Sequence, residues 1–171
     1  MKKFLPIIGI LTLAGIFLLF FQSAQLMPHK RVIDKTKPTI GLVHVARVVD
    51  GDTIEIEGGE HVRYIGINTP ETVDPRRPVQ CFGKEASNKN KELVEGKNVR
   101  LERDISERDK FGRLLRYIYV GETFVNLALV KEGYAYATSY PPDIKYQDLF
   151  RKAQRAARES RRGLWSACPP K

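Results

Sequence analysis

The chain has few of the residues that define several common protein classes. Its 171 residues include only 2 cysteines and 3 histidines, and His29, His44 and His61 lack the spacing of a zinc site. A zinc ribbon is therefore excluded, and the absence of a Gly-X-Y repeat or of sustained heptads excludes collagen and a coiled coil. Disorder throughout is not expected, because the hydrophobic fraction is 42% and aromatic residues are plentiful.

Acidic residues are also fewer than basic ones. The chain has 29 Lys and Arg against 20 Asp and Glu, which gives a formal net charge of +9. Such an excess favours a polyanionic partner, either nucleic acid or an anionic membrane surface. Charge alone does not decide between these two partners.

One long run without charge stands at the N-terminus. Lys2 and Lys3 precede the uncharged segment Phe4–Phe21, which as a helix would reach roughly 27 Å. Residues 1–21 are therefore predicted to be a signal peptide or a transmembrane anchor. Gln22 stands where a cleavage site before Gln25 would need a small residue, which favours a retained anchor over a cleaved signal. The protein is expected to be extracytoplasmic, membrane-anchored or secreted.

The next segment, residues 22–39, is basic and polar and includes Pro28 and Pro38. It has no period of 2 or 3.6 residues and is predicted to be a linker. Residues 40–171 then form one domain, a size that suits a single core.

Strand patterns occur five times in this domain, over residues 43–49, 53–57, 62–67, 99–102 and 114–120. The first three strands are joined by tight turns. A helix is predicted over 82–94 and ended by Gly96, and a short one over 124–131 is ended by Gly133.

A longer helix is predicted over 145–162, with Asp143 as its N-cap. Its predicted apolar stripe consists of Tyr146, Leu149, Phe150, Ala153, Ala156 and Ala157. This order of elements predicts an α+β, mainly β fold, a five-stranded barrel of the OB type with three helices.

Charged side chains fall where these strands end. Asp50 and Asp52 flank Gly51 between the first two strands, a pattern that on its own indicates a hairpin turn. Arg63 lies on the third strand and Glu71 follows Pro70, which ends that strand. Taken alone, this pair would be read as a surface ion pair.

A second arginine, Arg113, follows Gly112 at the start of the last strand. Together the set offers oxygen ligands for a hard cation, two guanidinium groups and a carboxylate. Phosphodiester hydrolysis requires these groups, because a cation and arginines stabilise charge on phosphate and a carboxylate activates water.

The ordered motifs Asp50-Gly51-Asp52-Thr53, Arg63, Asn68-Thr69-Pro70-Glu71 and Asp109-Lys110-Phe111-Gly112-Arg113 resemble the thermonuclease family, staphylococcal nuclease and its relatives. The resemblance covers roughly residues 42–166. It implies an OB barrel with three helices and a calcium-dependent phosphodiesterase that cuts DNA and RNA and leaves 3'-phosphate ends.

Residue roles follow from the same resemblance. It implies that Arg63 and Arg113 are catalytic and that Glu71 is a general base or orders the attacking water. Asp52 is implied to be the principal calcium ligand, Thr69 to offer its backbone carbonyl and Asp50 to lie just behind the ion.

Three further residues are implied with less direct correspondence. Asn68 stands where the staphylococcal enzyme has a ligating aspartate, which implies weaker calcium binding or a changed metal preference. Lys110 and Tyr140 are implied to contact the terminal phosphate and the base of the substrate. The protein is expected to be a monomer.

Two features keep alternatives open at the level of sequence. Cys81 and Cys168 are expected to form a disulfide in an exported domain, with free thiols or a metal pair as alternatives. The basic residues of the last helix would track phosphates, contact anionic lipid or simply face solvent. They are Lys145, Arg151, Lys152, Arg155, Arg158, Arg161 and Arg162.

The main rival to a nuclease is a noncatalytic OB module, tethered to the membrane, that binds nucleic acid or protein. A structural protein that only recognises anionic surfaces would explain the charge but not the ordered motifs.

Overall fold

The computed structural model describes residues 41–76 and 78–169. The predicted export segment, 1–21, and the predicted linker, 22–39, lie outside the described residues. Within the described ranges, no helix has both the length and the apolar character needed to cross a bilayer.

Eight strands and four helices make up the described part of the chain. The strands are β1 (Val43–Asp50), β2 (Thr53–Ile56), β3 (His61–Tyr64), β4 (Ile67–Asn68), β5 (Asn98–Glu102), β6 (Leu114–Val120), β7 (Thr123–Phe124) and β8 (Tyr136–Ala137). The helices are α1 (Gly83–Val94), α2 (Val125–Lys131), α3 (Gln147–Glu159) and α4 (Leu164–Ala167).

The main sheet closes on itself. Its strands are ordered β3-β2-β1-β5-β6-β7, and a parallel pairing of β3 with β6 joins the two sides of the sheet. The predicted mainly β fold with a five-stranded closed barrel is therefore confirmed. Each barrel strand contributes a fully buried side chain to the core, namely Val45, Ile54, Val62, Val99 and Ile118.

The third predicted strand, over 62–67, is wrong in one respect because the chain bends inside it. Gly66 has a φ of +78°, which separates β3 from β4. A Cβ at this position would lie 2.5 Å from the ring of Phe150, so only glycine lets this ring of α3 pack against the bend. The chain after the bend forms a small ribbon in which β4 pairs with β8.

Helix α1 places a polar residue inside the protein. Its buried face includes Ala86, Asn90 and Val94. The Asn90 amide donates to the carbonyl of Asp50 at 3.1 Å, and its oxygen accepts from the Tyr64 hydroxyl at 2.9 Å. Asn90 therefore fixes the end of β1, where the acidic turn begins.

The prediction of an Asp143 N-cap is wrong. Helix α3 begins at Gln147, and the buried Asp143 carboxylate instead accepts the backbone N–H groups of Ile105 and Ser106, at 3.0 and 2.8 Å. Asp143 thus fixes a distant loop. The predicted apolar stripe is also too wide, because Leu149 and Ala156 are exposed at its edge.

The C-terminal segment is attached at two points. A disulfide joins Cys81, just before α1, to Cys168, just after α4, with Cα atoms 5.9 Å apart. In addition, Gly133 and Gly163 cross so closely that a Cβ on either would lie within 2.4 Å of the other segment's backbone. The segment that carries α4 therefore packs tightly over the turn after α2.

Candidate active site

The acidic turn between β1 and β2 buries both of its carboxylates. Asp50 is 6% exposed and Asp52 is 5% exposed. A Cβ at Gly51 would lie 2.6 Å from Thr69 Oγ1, so only glycine lets the loop after β4 lie over this turn. That approach allows the Thr69 N–H to donate to Asp52 Oδ2 at 2.7 Å.

Arg63 reaches the same turn from β3. Its Nη1 lies 2.5 Å from Asp52 Oδ2, and its Nη2 donates to Asn68 Oδ1 at 2.8 Å. The side chain is only 11% exposed. One guanidinium is therefore held between a carboxylate and an amide, and this pairing restricts its orientation.

Glu71 is held in its ionised form. Its Oε1 accepts the backbone N–H groups of Thr72 and Val73 at 3.0 and 2.8 Å. Burial opposes ionisation, but these N–H groups and a hydrogen bond with Asp50 bring the pKa of Glu71 below its ordinary value. At neutral pH this carboxylate is therefore ionised and can accept hydrogen bonds.

Asp50 behaves in the opposite way. Burial raises the pKa of Asp50 to about 6, against hydrogen bonds from the Thr72 hydroxyl and the Gly51 N–H. The neighbouring Asp52 and Glu71 raise it further. The surroundings therefore drive the pKa values of two neighbouring carboxyls apart, a pattern typical of active sites.

The second arginine is positioned by a carboxylate of its own loop. Asp109 Oδ1 accepts the N–H groups of Phe111 and Arg113, and Oδ2 accepts Arg113 Nε at 2.7 Å. Gly112, with a φ of +82°, turns the chain back toward β6. Burial opposes ionisation, yet the contacts with Arg113 bring the pKa of Asp109 below its ordinary value.

These elements enclose one cavity of about 370 Å³. Eight residues singled out in the sequence line it: Asp50, Asp52, Arg63, Asn68, Thr69, Glu71, Arg113 and Tyr140. An adjoining cavity of about 530 Å³ shares Arg63, Phe111, Arg113 and Tyr140 with the first and includes Lys110. Cys81 and Cys168 line neither of these two cavities.

Phe111 lines both cavities, although the sequence analysis assigned it no role. Phe111 is 71% exposed, and Tyr140 beside the same cavities is 51% exposed. Its place in the sequence, an aromatic residue between Lys110 and Gly112 in a tight loop, was the signal that could have identified it as a site residue. Two exposed aromatic faces next to an arginine form a surface on which a nucleobase can stack.

Three residues that line the cavity beside the acidic turn carry oxygen atoms of the kinds that suit a hard cation. They are the Asp52 carboxylate, the Asn68 amide oxygen and the Thr69 carbonyl, the ligand types that calcium takes. The Thr69 hydroxyl is buried there without a hydrogen-bond partner. The donor set therefore fits a calcium ion, although residues 41–76 and 78–169 contain no cluster of three or more His, Cys, Asp or Glu side chains arranged to hold a metal.

Comparison with known proteins decides the family. The family model described as staphylococcal nuclease homologue matches residues 61–167, more than half of the chain. The chain belongs to the staphylococcal nuclease family.

Individual relatives support the same assignment. This nuclease is 41% identical over 168 residues to a thermonuclease of Staphylococcus intermedius, covering 96% of this chain and 99% of that protein. It is 44% identical to a thermonuclease of Staphylococcus hyicus, over 71% of this chain and 74% of the relative. Endonuclease YncB of Bacillus subtilis (strain 168) is also 44% identical, over 72% of this chain and 61% of that protein.

The protein is thus a nuclease, a phosphodiester hydrolase that acts on nucleic acid. Its relatives carry the names of nucleases, and the noncatalytic OB module considered from the sequence is disfavoured.

Proposed function

We propose that this nuclease is calcium-dependent, that it hydrolyses DNA and RNA with little sequence preference, and that its products carry 3'-phosphate ends. The observation that carries the proposal is the single cavity of about 370 Å³ in which Arg63, Arg113 and the ionised Glu71 meet. The net charge of +9 would draw a polyanion of any sequence toward this cavity.

Calcium would be held by the Asp52 carboxylate, the Thr69 carbonyl and the Asn68 amide oxygen, with Asp50 behind them. When bound, the ion would neutralise negative charge that builds on the phosphate. Asn68 contributes an oxygen without a charge, so the site has one negative charge fewer than a site with aspartate at this position would have.

Glu71 would take up the proton of the attacking water. The water oxygen forms a bond to phosphorus while the bond from phosphorus to the 5' oxygen breaks. The leaving 5' oxygen gains a proton from solvent, and the phosphate stays on the 3' oxygen of the other fragment. The lowered pKa of Glu71 keeps this carboxylate ionised at neutral pH, so that it can accept a hydrogen bond from the attacking water and orient it.

Arg63 and Arg113 would hold the phosphate oxygens through paired N–H groups and stabilise the extra charge of the transition state. Each is oriented in advance by a carboxylate, Asp52 for Arg63 and Asp109 for Arg113. Lys110 would contact the terminal phosphate and Tyr140 the base.

We further propose that the nuclease acts outside the cytoplasm as a monomer, with residues 1–21 as anchor or signal, residues 22–39 as linker and residues 40–171 as the catalytic domain. Retention of the anchor is favoured because Gln22 occupies the position where a cleavage site before Gln25 would need a small residue.

The test is hydrolysis of labelled single-stranded DNA and RNA by the full chain, with calcium and with a chelator. Glu71→Gln is compared with Glu57→Gln, which changes an exposed carboxylate outside the cavity. Cleavage that requires calcium, yields 3'-phosphate ends and is lost only in Glu71→Gln supports the proposal. Cleavage unaffected by the chelator, or 5'-phosphate products, would contradict it.

A further inference from the structure

A third cavity lies apart from the two that form the active site. It has a volume of about 400 Å³ and is lined by Tyr136, Arg158, Arg161 and Trp165, beside the disulfide. None of its lining residues lines either active-site cavity. The proposed hydrolysis therefore leaves this cavity without a role.

The aromatic residues of this cavity are arranged for contact with a planar ligand. Tyr136 and Trp165 meet edge to face, with ring centroids 5.4 Å apart, and the guanidinium of Arg158 lies 5.8 Å from the Trp165 ring. The indole Nε1 of Trp165 is buried and has no hydrogen-bond partner. The cavity thus combines aromatic rings and positive charge, the two features that single-stranded nucleic acid requires of a binding surface.

Helix α3 extends the positive charge of this cavity. Arg151, Arg155 and Arg158 are exposed and follow the spacing i, i+4, i+7, which places them on one face. Arg155 and Arg161 have no carboxylate within ion-pair distance in the described part of the chain. Among the described residues, the one carboxylate within ion-pair distance of Arg151 is that of the fully exposed Asp148, at 3.8 Å. This charge is therefore largely uncompensated.

The small ribbon of β4 and β8 lies between the third cavity and the active site. Tyr136 in β8 is the register partner of Asn68 in β4, and Asn68 lines the catalytic cavity. Paired strands lie roughly 4.8 Å apart. A nucleic acid strand that leaves one cavity therefore reaches the other by crossing a single pair of β-strands.

We propose that Tyr136, Arg155, Arg158, Arg161 and Trp165 form an exosite that binds a distal stretch of the single-stranded substrate while another stretch is cleaved. The arginines bind phosphates, and a base packs against the aromatic rings of the cavity. This inference rests on the proposed function. A ring-lined cavity favours a nucleic acid strand over a lipid surface, because a base can enter the cavity and stack there.

The first test compares substrate length in the full chain. Arg158→Gln/Arg161→Gln is assayed on single strands of about 4 and about 30 nucleotides, lengths below and above what one OB domain covers. The KM for the long strand is expected to rise about tenfold, and its log–log salt slope to fall by about 1.4. The KM for the short strand should not change.

The matched control is Lys84→Gln/Lys91→Gln, which removes two exposed charges from α1. Thermal melting verifies that each variant is folded, and Lys152→Gln/Arg155→Gln provides a second exosite variant that leaves the Trp165 contact intact. An equal rise in KM for both strand lengths, or an equal effect of the α1 control, would overturn the proposal.

A second readout does not depend on cleavage. Trp165 is the only tryptophan of the chain, so its fluorescence in the Glu71→Gln background reports on the exosite alone. The long strand should quench it, and Arg158→Gln/Arg161→Gln should abolish the quenching. Unchanged fluorescence at saturating long strand would overturn the proposal even if the enzyme cleaves.

Arginine-dependent binding to anionic phosphatidylglycerol vesicles without any effect on the long strand would also overturn the proposal and would identify a membrane contact instead.

Discussion

Arg63 and Asp52 form a buried ion pair, with Arg63 Nη1 lying 2.5 Å from Asp52 Oδ2. The same carboxylate oxygen accepts the N–H of Thr69. A single carboxylate therefore organises a guanidinium and the loop whose carbonyl would face a cation. The state of the metal site and the orientation of Arg63 should consequently be coupled.

Asn68→Asp should strengthen calcium binding, because it adds a negative charge beside Asp52 among oxygen ligands. The measurement is the calcium-dependent shift of the melting temperature of the full chain. At a calcium concentration of 100 times Kd, binding should stabilise the fold by about 2.7 kcal/mol. Asp52→Asn should lose the shift. An unchanged Kd in Asn68→Asp would show that Asn68 lies outside the cation's coordination shell.

Glu71→Gln should lower kcat by about 10²- to 10⁴-fold, the usual contribution of a positioned general base. Substrate binding should be preserved, because the change removes one negative charge and leaves both arginines in place. Single-turnover rates and equilibrium binding to a phosphorothioate strand measure the two effects separately. A loss of binding as large as the loss of rate would refute the assignment of Glu71 as base.

Asp109 is expected to act as a positioning residue through Arg113. Asp109→Ala should lower kcat/KM by up to about 100-fold, because it frees the guanidinium that Asp109 holds at 2.7 Å. The double variant Asp109→Ala/Arg113→Ala should be no worse than Arg113→Ala alone. Independent, additive losses would show that Asp109 acts in another way. Glu57→Ala, a change of an exposed carboxylate outside both active-site cavities, serves as the control.

The disulfide should contribute substantially to stability. It joins residues 87 positions apart, and a loop of this length corresponds to about 4.6 kcal/mol in the chain-entropy model. Cys81→Ser/Cys168→Ser should therefore lower the free energy of unfolding by about 2 to 5 kcal/mol, as measured in urea. Reductant should destabilise the original protein and leave the double variant unaffected; equal stability of the two proteins without reductant would contradict this expectation.

Stability should depend on pH through Glu102. Its Oε1 accepts Lys145 Nζ at 2.6 Å and the Tyr146 hydroxyl at 2.9 Å. Burial opposes ionisation, but these contacts hold the pKa of Glu102 below its ordinary value. Since the folded pKa is below the unfolded one, the stabilisation is complete above the unfolded pKa and is lost as pH falls through the folded pKa.

Glu102→Gln should accordingly cost about 1 kcal/mol at neutral pH, and the difference from the original protein should vanish in acid. Urea unfolding across this pH range provides the measurement. Glu122→Gln, an exposed change in the turn between β6 and β7, is the control. A cost that is the same at every pH would exclude ionisation of Glu102 as its source.

Much of the barrel could be predicted from sequence because alternation of apolar and polar residues is a local signal. The break between β3 and β4 could not be predicted, because the ring that packs against it belongs to Phe150, far along the chain from Gly66. The same holds for Asp143, whose position before a helix suggested a cap. Its actual partners, Ile105 and Ser106, become visible only in the folded protein.

In the candidate site, too, local motifs could be recognised from the sequence, whereas contacts between distant residues could not. The acidic turn and the two arginines occur in ordered motifs, so their residues could be singled out from sequence. Asn90 could not be, since a polar residue on the inner face of α1 becomes meaningful only through its contacts with Tyr64 and Asp50. The third cavity could not be predicted from the sequence either, because it brings Tyr136 together with residues of α3 and α4 that are distant in sequence.

The parallel pairing that closes the barrel has a consequence for how this nuclease matures. Arg63 lies in β3 opposite Leu115 of β6, and Arg113 stands immediately before that strand. The two guanidinium groups, about fifty residues apart in the chain, are therefore brought together by the strand pairing that closes the barrel. A newly made or refolding molecule should remain harmless to nucleic acid until that pairing forms, so the recovery of cleavage during refolding would time barrel closure directly.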